Sequence, residues 1–226
     1  MPDTENTRLT APSLPLGVLL SAGGGFLDAF TYVGHHGVFA NAQTGNVVLL
    51  GISSATGHWA DAVRHVPPLI AFVLGVLTAE ALVLPRVARF VRRPMRLALV
   101  LEILVLAVLA VVPGGLGDTA VVVLVAYAAA VQATSFRTLR RWSYNSVMTT
   151  GNLRTATSAA FRAVAGQDRE AAEQAGAFGA ICLGFLAGAA AGAPLTLLLG
   201  DAATWPVAAL LAIGLGLFLY DERRSR

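Results

Sequence analysis

The chain has 226 residues, of which 56% are hydrophobic and 13% are charged, against a charged fraction of about 25% in typical soluble domains. Long stretches carry no polar face, so the composition excludes a soluble globular enzyme, whose surface helices need one side for water. The formal net charge is +3 and all 16 basic residues are Arg. They lie in short loops between apolar segments, which indicates membrane orientation and argues against a nucleic-acid partner.

Residues 1–13 are polar, and we predict a disordered cytoplasmic N-terminus there. The apolar run that follows lacks the charged start and the cleavage pattern of a signal peptide, so we assign it as the first membrane span. Six segments are long and apolar enough to cross a hydrocarbon core about 30 Å thick: 14–34, 66–85, 97–113, 118–136, 174–199 and 204–220. Residues 221–226 are predicted to form a cytoplasmic tail.

Two further stretches, 39–56 and 145–162, are moderately apolar but are interrupted by Asn, Gln, Thr and Gly. Each contains the triplet Thr-Gly-Asn, at 44–46 in the first stretch and at 150–152 in the second. The stretches could be full spans, or re-entrant hairpins that return to the side from which they entered.

The arginines favour the re-entrant alternative. If six spans remain, 15 of the 16 basic residues lie on the side that carries both termini, and only Arg64 lies on the other. Two additional full crossings would put the cluster at 86–96 and the C-terminal cluster on opposite sides, against the positive-inside rule. We therefore predict six spans with both termini cytoplasmic, in a bacterial inner membrane.

The triplets also indicate an internal repeat. Thr44 and Thr150 are 106 positions apart, and the elements follow one another in the same order around each triplet. Each half then holds three crossings, and an odd number inserts the second half upside down relative to the first. The sequence thus predicts one all-α membrane domain, 14–220, built from inverted halves 14–113 and 118–220, an architecture common among secondary transporters.

The chemistry of the triplets makes them candidates for a functional site. Glycine interrupts a helix at low cost, and Thr and Asn offer a hydroxyl and an amide to freed backbone groups or to a solute. Irregular backbone is tolerated at membrane depth only inside protein or beside a water-filled cavity. Two such turns would bring two helix N-termini toward the midplane. The alternative is that the triplets only cap and pack helices, or recur by chance.

Two sets of motifs resemble the two signatures of the YoaK family of bacterial membrane proteins. The first set is GGFLDAFTY at 24–32, VFAN at 38–41 and the first triplet; the second is Gln132, Phe136-Arg137 and TTGNL at 149–153. The similarity covers about residues 14–220. The resemblance implies that the whole chain is one membrane domain, of a family often suspected of transport, and it supplies no substrate.

Three acidic residues fall inside predicted spans, where a charge is costly and therefore points to a function. Asp28 lies beside the glycine run at 23–25 and could be a proton or cation site facing the triplets. Alternatively, it only accepts hydrogen bonds from the N-terminus of a re-entrant helix. Glu80 and Glu102 lie within reach of the basic loops, where they are expected to pair with Arg86, Arg89, Arg93 or Arg96.

The four histidines, His35, His36, His58 and His65, all fall on the predicted outer side of the first half. That clustering could indicate a metal site or a pH sensor. They lack a helical ligand spacing such as His-x-x-x-His, so we interpret them as ordinary loop residues.

We predict a transporter or channel for a small solute or ion, with no cofactor and no metal. The expected substrate-binding residues lie in or near the triplet motifs: Asp28, Asn41, Thr44, Gly45, Asn46, Gln132, Thr150, Gly151 and Asn152. The sequence lacks Gly-x-Ser-x-Gly, His-Glu-x-x-His and a phosphate-binding loop, so we do not expect an enzyme. A membrane-embedded enzyme for a lipid-like substrate and a non-transporting scaffold are the alternatives. The predicted partners are the lipid bilayer and the solute. The sequence leaves open whether the protein forms an oligomer.

Overall fold

The computed structural model describes residues 13–91, 93–112, 116–166 and 168–224. Its helices are α1 (Leu14–Gly34), α2 (Gln43–Ala55), α3 (Trp59–Arg64), α4 (Val66–Leu82), α5 (Pro85–Ala88), α6 (Pro94–Val111), α7 (Asp118–Ser135), α8 (Thr149–Gly166), α9 (Arg169–Leu199) and α10 (Thr204–Arg224). A 3₁₀ turn, Gly200–Ala203, joins α9 to α10, and the strands β1 (Thr138–Leu139) and β2 (Trp142–Ser143) form an antiparallel hairpin. The N-terminal segment predicted to be disordered lies outside the described residues, apart from Ser13.

Five stretches of the described chain are helical, long and apolar enough to cross a membrane: Leu14–Gly34, Trp59–Leu82, Pro94–Val111, Asp118–Ser135 and Arg169–Arg223. The last is 55 residues long and contains both α9 and α10. The predicted class, a helical protein with apolar segments of membrane length, is therefore confirmed. The number of crossings stays a prediction.

Two helix boundaries differ from the expected ones. α9 begins at Arg169, before the predicted 174, because the Asp168 carboxylate caps it by accepting the N–H groups of Glu170 at 2.9 Å and Ala171 at 3.1 Å. α10 continues to Arg224, beyond the predicted 220. Much of the segment predicted to be a tail is thus helical, and its Glu222 pairs with arginines at the start of α6.

The helices α1 and α9 pack in parallel along a stripe of small residues. Gly184, Gly188 and Gly192 of α9 face, in that order, the backbone carbonyls of Val18, Ala22 and Phe26 of α1. A Cβ on Gly192 would lie 2.7 Å from the Phe26 oxygen, and a Cβ on Gly188 would overlap the Ala22 carbonyl. Glycine at this spacing lets two backbones approach closely, which is how helices associate without a hydrophobic driving force.

The helices α4 and α7 form a second pair of the same kind. Ala71, Gly75 and Ala79 form a buried stripe of small residues on α4, and a Cβ on Gly75 would lie 2.6 Å from the carbonyl oxygen of Tyr127. α1 and α7 are the first helices of the two predicted halves. Each therefore packs against a helix of the other half, α1 against α9 and α7 against α4.

Contacts between ionisable side chains mark the two ends of the bundle. At the basic end, Arg137, just before the hairpin, pairs with Glu80 near the end of α4. Arg140 of the hairpin pairs with Glu173 near the start of α9, and Arg96 of α6 pairs with Glu222 of α10. At the other end, called the histidine end, the end of α1 meets the start of α7 and the 3₁₀ turn through His35, Asp118 and Asp201. α1 thus runs from the basic end to the histidine end, and α7 runs the opposite way.

Candidate functional site

The chain between α1 and α2 returns to the middle of α1. In this first loop, residues 38–42, the N–H groups of Asn41 and Ala42 donate to Asp28 Oδ1 at 2.7 Å and 3.3 Å. Ala42 immediately precedes α2, so the Asp28 carboxylate binds the N-terminus of that helix, where the backbone carries a partial positive charge. Asp28 is buried, at 5% exposure.

Three more hydrogen bonds hold the first loop. Asn41 Nδ2 donates to the carbonyl oxygen of Gly24 at 3.1 Å, and the Ala40 N–H donates to Thr31 Oγ1 at 3.0 Å. Gln43 Nε2 donates to the carbonyl oxygen of Ala40 at 2.6 Å. Because Gly24 lies near the midpoint of α1, the first loop follows that helix from the histidine end to its middle.

The asparagine of the first triplet closes the loop on itself. Asn46 Oδ1 accepts the N–H of Phe39 at 3.0 Å, and Asn46 Nδ2 donates to the carbonyl oxygen of Phe39 at 2.7 Å. We call this pair of hydrogen bonds the amide clasp. It pairs both backbone polar groups of the half-buried Phe39, which lies in irregular backbone and has no helical partner for them.

The asparagine of the second triplet makes the same clasp. Asn152 Oδ1 accepts the N–H of Asn145 at 3.3 Å, and Asn152 Nδ2 donates to the carbonyl oxygen of Asn145 at 2.6 Å. Phe39 and Asn145 are separated by 106 positions, as Asn46 and Asn152 are. The two halves thus share a local geometry as well as a three-letter string.

The second loop, residues 144–148, follows the hairpin at the basic end. Its Ser146 Oγ donates to Gln132 Oε1 at 3.2 Å, and both side chains are buried. Gln132 therefore holds the second loop from α7 as Asp28 holds the first from α1. The contacts differ in kind, because Gln132 binds a side-chain hydroxyl and Asp28 binds backbone N–H groups.

Both loops reach Gly24. Asn41 of the first loop binds its carbonyl oxygen. From the second loop, the Ser146 oxygen and Val147 Cγ1 each lie 3.1 Å from the point where a Cβ on Gly24 would stand. The loops come from opposite ends of the bundle, so the middle of α1 is the place where they meet.

The other predicted residues belong to the triplets themselves. Thr44 and Thr150 are exposed, Gly45 packs against the ring of Phe39, and Gly151 has open space beside it. Among the hydrogen bonds of the described residues, none joins the first triplet to the second. What meets at Gly24 is the pair of loops that precede the triplets.

A cavity of about 410 Å³ opens beside the second triplet, between α4, α7 and α8. Its polar lining is formed by Thr134, Arg137, Ser143, Asn145, Asn152 and Thr155. Tyr144 also lines it, and its buried hydroxyl has no hydrogen-bond partner among the described residues.

The histidine end holds a buried bridge. His35 is 4% exposed; its Nδ1 lies 2.8 Å from Asp118 Oδ1 and its Nε2 lies 3.4 Å from Asp201 Oδ1. His36 Nε2 lies 2.6 Å from the other Asp118 oxygen. His35 is therefore not the ordinary loop residue expected from the sequence, because it joins three chain segments. No group of three potential ligands is placed to hold a metal ion within the described ranges.

The two other acids that the sequence predicts inside spans also differ from expectation. Glu80 pairs with Arg137, because the packing of α4 on α7 brings these two side chains together. Glu102 is buried in α6, and its Oε2 has no hydrogen-bond partner in the part of the chain that the structure describes. The expected arginines Arg93 and Arg96 pair with Glu222.

Comparison with known proteins gives a family and no function. Residues 16–217, which include both loops, both triplets and the histidine end, match the model of a family described as protein of unknown function (DUF1275). The chain belongs to the DUF1275 family. No curated protein and no solved structure matches it.

Sequence reasoning missed several residues of the site in this DUF1275 chain. Ser146 and Val147 lie between the two recognised motifs of the second half, and Tyr144 follows the short hairpin. Phe39 and Asn145 contribute to the clasps only through their backbone, which leaves no side-chain signature. The signal that could have found them is the offset of 106 positions between the triplets, which also relates Phe39 to Asn145.

Proposed function

We propose that this DUF1275 protein moves a small solute or ion across a bacterial inner membrane, through a central site where the two loops meet. The observation that carries the proposal is the convergence on Gly24 of loops that start at opposite ends of the bundle. In secondary transporters and channels, interrupted segments of this kind form the substrate site near the midplane. The YoaK resemblance, which implies a membrane domain suspected of transport, agrees with it.

The packing supports two inverted halves. α1 contacts α9 and α7 contacts α4, which is the exchange of partners expected when a pseudo-two-fold axis relates the halves. The amide clasps occur at the same offset in both halves. In this proposal the chain crosses six times, the basic end is cytoplasmic, and each loop is re-entrant from its own side.

Buried polar groups surround the meeting point. Asp28, Asn41, Gln132 and Ser146 are each at most 5% exposed, inside or beside helices of membrane length. Such groups are expensive in lipid and mark substrate or ion pathways. In the proposed mechanism, protonation or cation binding at Asp28 weakens its hold on the N–H groups of the first loop. That loop would then move, which links occupation of the site to a change of access.

The scaffold alternative is favoured by a separate observation. Both amide clasps and the Asp28 contacts are satisfied inside the protein, as they would be if they served only to hold irregular backbone at membrane depth. A scaffold would keep all these contacts and carry no flux. An enzyme for a lipid-like substrate would instead require reactive groups gathered near one interface.

The test is flux in proteoliposomes made with the full chain. Vesicles loaded with a pH-sensitive dye would report proton movement, and osmotic swelling would report entry of polyols, amino acids, and carboxylate or phosphate salts. We expect the wild-type protein to give a flux above that of empty vesicles, and we expect Asp28→Asn to abolish this flux. Asp61→Asn makes the same change at an exposed position and should preserve it. Equal behaviour of protein-containing and empty vesicles with every probe would overturn the proposal in favour of the scaffold.

A further inference from the structure

A buried histidine at the end of α1 lies between two carboxylates. His35 Nδ1 is 2.8 Å from Asp118 Oδ1, and His35 Nε2 is 3.4 Å from Asp201 Oδ1. The carboxylates belong to two other parts of the chain, the start of α7 and the 3₁₀ turn before α10. The contact of Nδ1 is a formed hydrogen bond, whereas Nε2 makes no hydrogen bond to any described residue. The contact with Asp118 is therefore complete, and the contact with Asp201 is not.

The number of protons on the His35 ring decides how many of these contacts can hold. A neutral imidazole has one N–H, so whichever nitrogen carries it, the other nitrogen presents a lone pair to a carboxylate. A protonated ring has an N–H on both nitrogens and a positive charge, so it can bind both carboxylates with charge-assisted hydrogen bonds. At 4% exposure the ring has little access to water that could replace a lost partner. One proton on His35 thus joins α1 to both segments, and its loss releases one of them.

The two residues after His35 have a backbone conformation that needs support. His36 has a φ of 58° and Gly37 a φ of 72°. This left-handed region suits glycine and is unfavourable for histidine. His36 Nε2 lies 2.6 Å from the second oxygen of Asp118, so the same carboxylate contacts both histidines. Because the first loop begins at residue 38, these contacts fix the point at which it leaves α1.

Few other charges face His35. Arg64, at the end of α3, lines a small cavity together with both adjacent histidines and Asp118, but its guanidinium pairs with Asp61. α4 contributes Pro68 to this cavity, and α6, α9 and α10 pack on the 3₁₀ turn with ends that carry no ionisable side chain in the described chain. The two carboxylates and the neighbouring His36 therefore dominate the electrostatic surroundings of the ring.

We propose that the histidine end is a proton-operated latch. With a proton on His35, the end of α1, the start of α7 and the 3₁₀ turn are fastened together; without it, one carboxylate is released and the start of the first loop loosens. The histidine end is the outer end in the proposed orientation, so the latch responds to the pH on that side of the membrane. The inference goes beyond the proposed function and does not require that the protein carries a solute.

Hydrogen exchange, measured by mass spectrometry on the full chain in detergent, tests the latch without an assay of flux. Peptides that cover 35–42, the start of α7 and the 3₁₀ turn are compared at about pH 5 and about pH 8, the limits between which histidine side chains usually change their charge. Exchange times are scaled for the effect of pH on the chemical exchange rate. We expect exchange about tenfold faster at the higher pH, the size of effect that the loss of one hydrogen bond produces. Equal scaled rates at the two values would overturn the inference.

Three variants assign the effect to His35. In Asp201→Asn the new amide can donate to an unprotonated Nε2, so even the neutral ring has a partner on each side and protection should stay high at both pH values. In His35→Leu the bridge is absent, and exchange should be fast at both values. His58→Leu changes an exposed histidine and should keep the pH dependence of the wild type. If His35→Leu does not fold, Asp201→Asn decides, and an unchanged pH dependence in Asp201→Asn would overturn the latch.

Two other titratable groups act on the first loop and are separated by the same data. Asp28 accepts the Asn41 N–H, and the buried His65 has its Nδ1 3.3 Å from Asn46 Oδ1. Protonation of Asp28 weakens its hold on the loop, so it would speed exchange at the lower pH, which is the opposite sign. No hydrogen bond or ion pair joins Asp28 or His65 to Asp201 in the described chain, so a pH dependence caused by either would survive in Asp201→Asn.

The flux experiment and this one fail independently. A pH-dependent protection that Asp201→Asn removes, in a protein that carries no probe, would leave the latch standing and remove the transport proposal. Flux with scaled exchange rates that do not change with pH, or that rise at the lower pH, would leave transport standing and overturn the latch.

Discussion

The Asp28 carboxylate, in α1, accepts a hydrogen bond from the backbone N–H of Asn41 at 2.7 Å. Asn41 lies two positions before the start of α2. The same oxygen accepts the N–H of Ala42. This side chain is one of the groups that hold the first loop against α1, because it accepts two of the loop's backbone N–H groups. The first prediction tests this relationship.

Asp28→Leu should destabilise the protein more than Asp28→Asn does. Leucine leaves the N–H groups of Asn41 and Ala42 unpaired, at a cost of about 1–3 kcal/mol each, whereas asparagine keeps an acceptor oxygen. Thermal unfolding in detergent, followed by intrinsic fluorescence, measures both variants against wild type. Equal unfolding temperatures for Asp28→Leu and wild type would show that these contacts do not hold the loop.

The two amide clasps should be of equal importance. Asn46→Asp and Asn152→Asp each keep the acceptor and lose the donor to the backbone carbonyl of the clasp, and each should cost about 1–3 kcal/mol. Denaturant or thermal unfolding provides the comparison. Asn145→Ala is the control: its backbone still completes the clasp, and only the bond from the Val147 N–H to its side chain is lost. A loss in one half only would contradict the equivalence.

Gly188 should not accept any side chain. Its Cβ would overlap the Ala22 carbonyl, so Gly188→Ala has to push α1 and α9 apart, and overpacking of this kind costs about 1–3 kcal/mol. Gly179→Ala on the same helix has open space and should be neutral or stabilising by up to about 1 kcal/mol. Thermal unfolding and the yield of monodisperse protein measure both. Similar results for the two would mean that α1 and α9 are not in close contact.

The His35 bridge should stabilise the histidine end. His35→Leu keeps the bulk and removes the contact with Asp118, so we expect a loss of about 1–3 kcal/mol. His58→Leu changes an exposed histidine and should have little effect. Hydrogen exchange of the first turn of α7 locates the loss. Unchanged protection there in His35→Leu would refute the bridge.

The two ends of the bundle should face opposite compartments. In a Cys182→Ser background, Phe90→Cys at the basic end should react with a membrane-impermeant maleimide only from the cytoplasm. Gly117→Cys, before α7, should react only from outside. Both positions are exposed, so accessibility does not bias the comparison. Labelling of both from the same side would disprove the six-span orientation.

Much of the fold was legible in the sequence because lipid imposes simple rules. Apolar runs of sufficient length become helices, since every backbone polar group must be satisfied internally. The runs at 14–34, 118–136 and 204–220 accordingly match α1, α7 and most of α10. The triplets and Asp28 were recognised as special for the same reason, because glycine, amides and a carboxylate conflict with a lipid environment.

Only the tertiary structure decided which helices pair and which groups meet. The stripe of Gly184, Gly188 and Gly192 indicates a close partner but not α1 as that partner, because any smooth helix face satisfies the same geometry. The approach of both loops to Gly24, and the pairing of Glu80 with Arg137, follow from that packing. The local sequence determined where the chain had to interrupt its helices, because that depends on residue chemistry at each position. The contacts across those interruptions depend on the arrangement of the whole bundle.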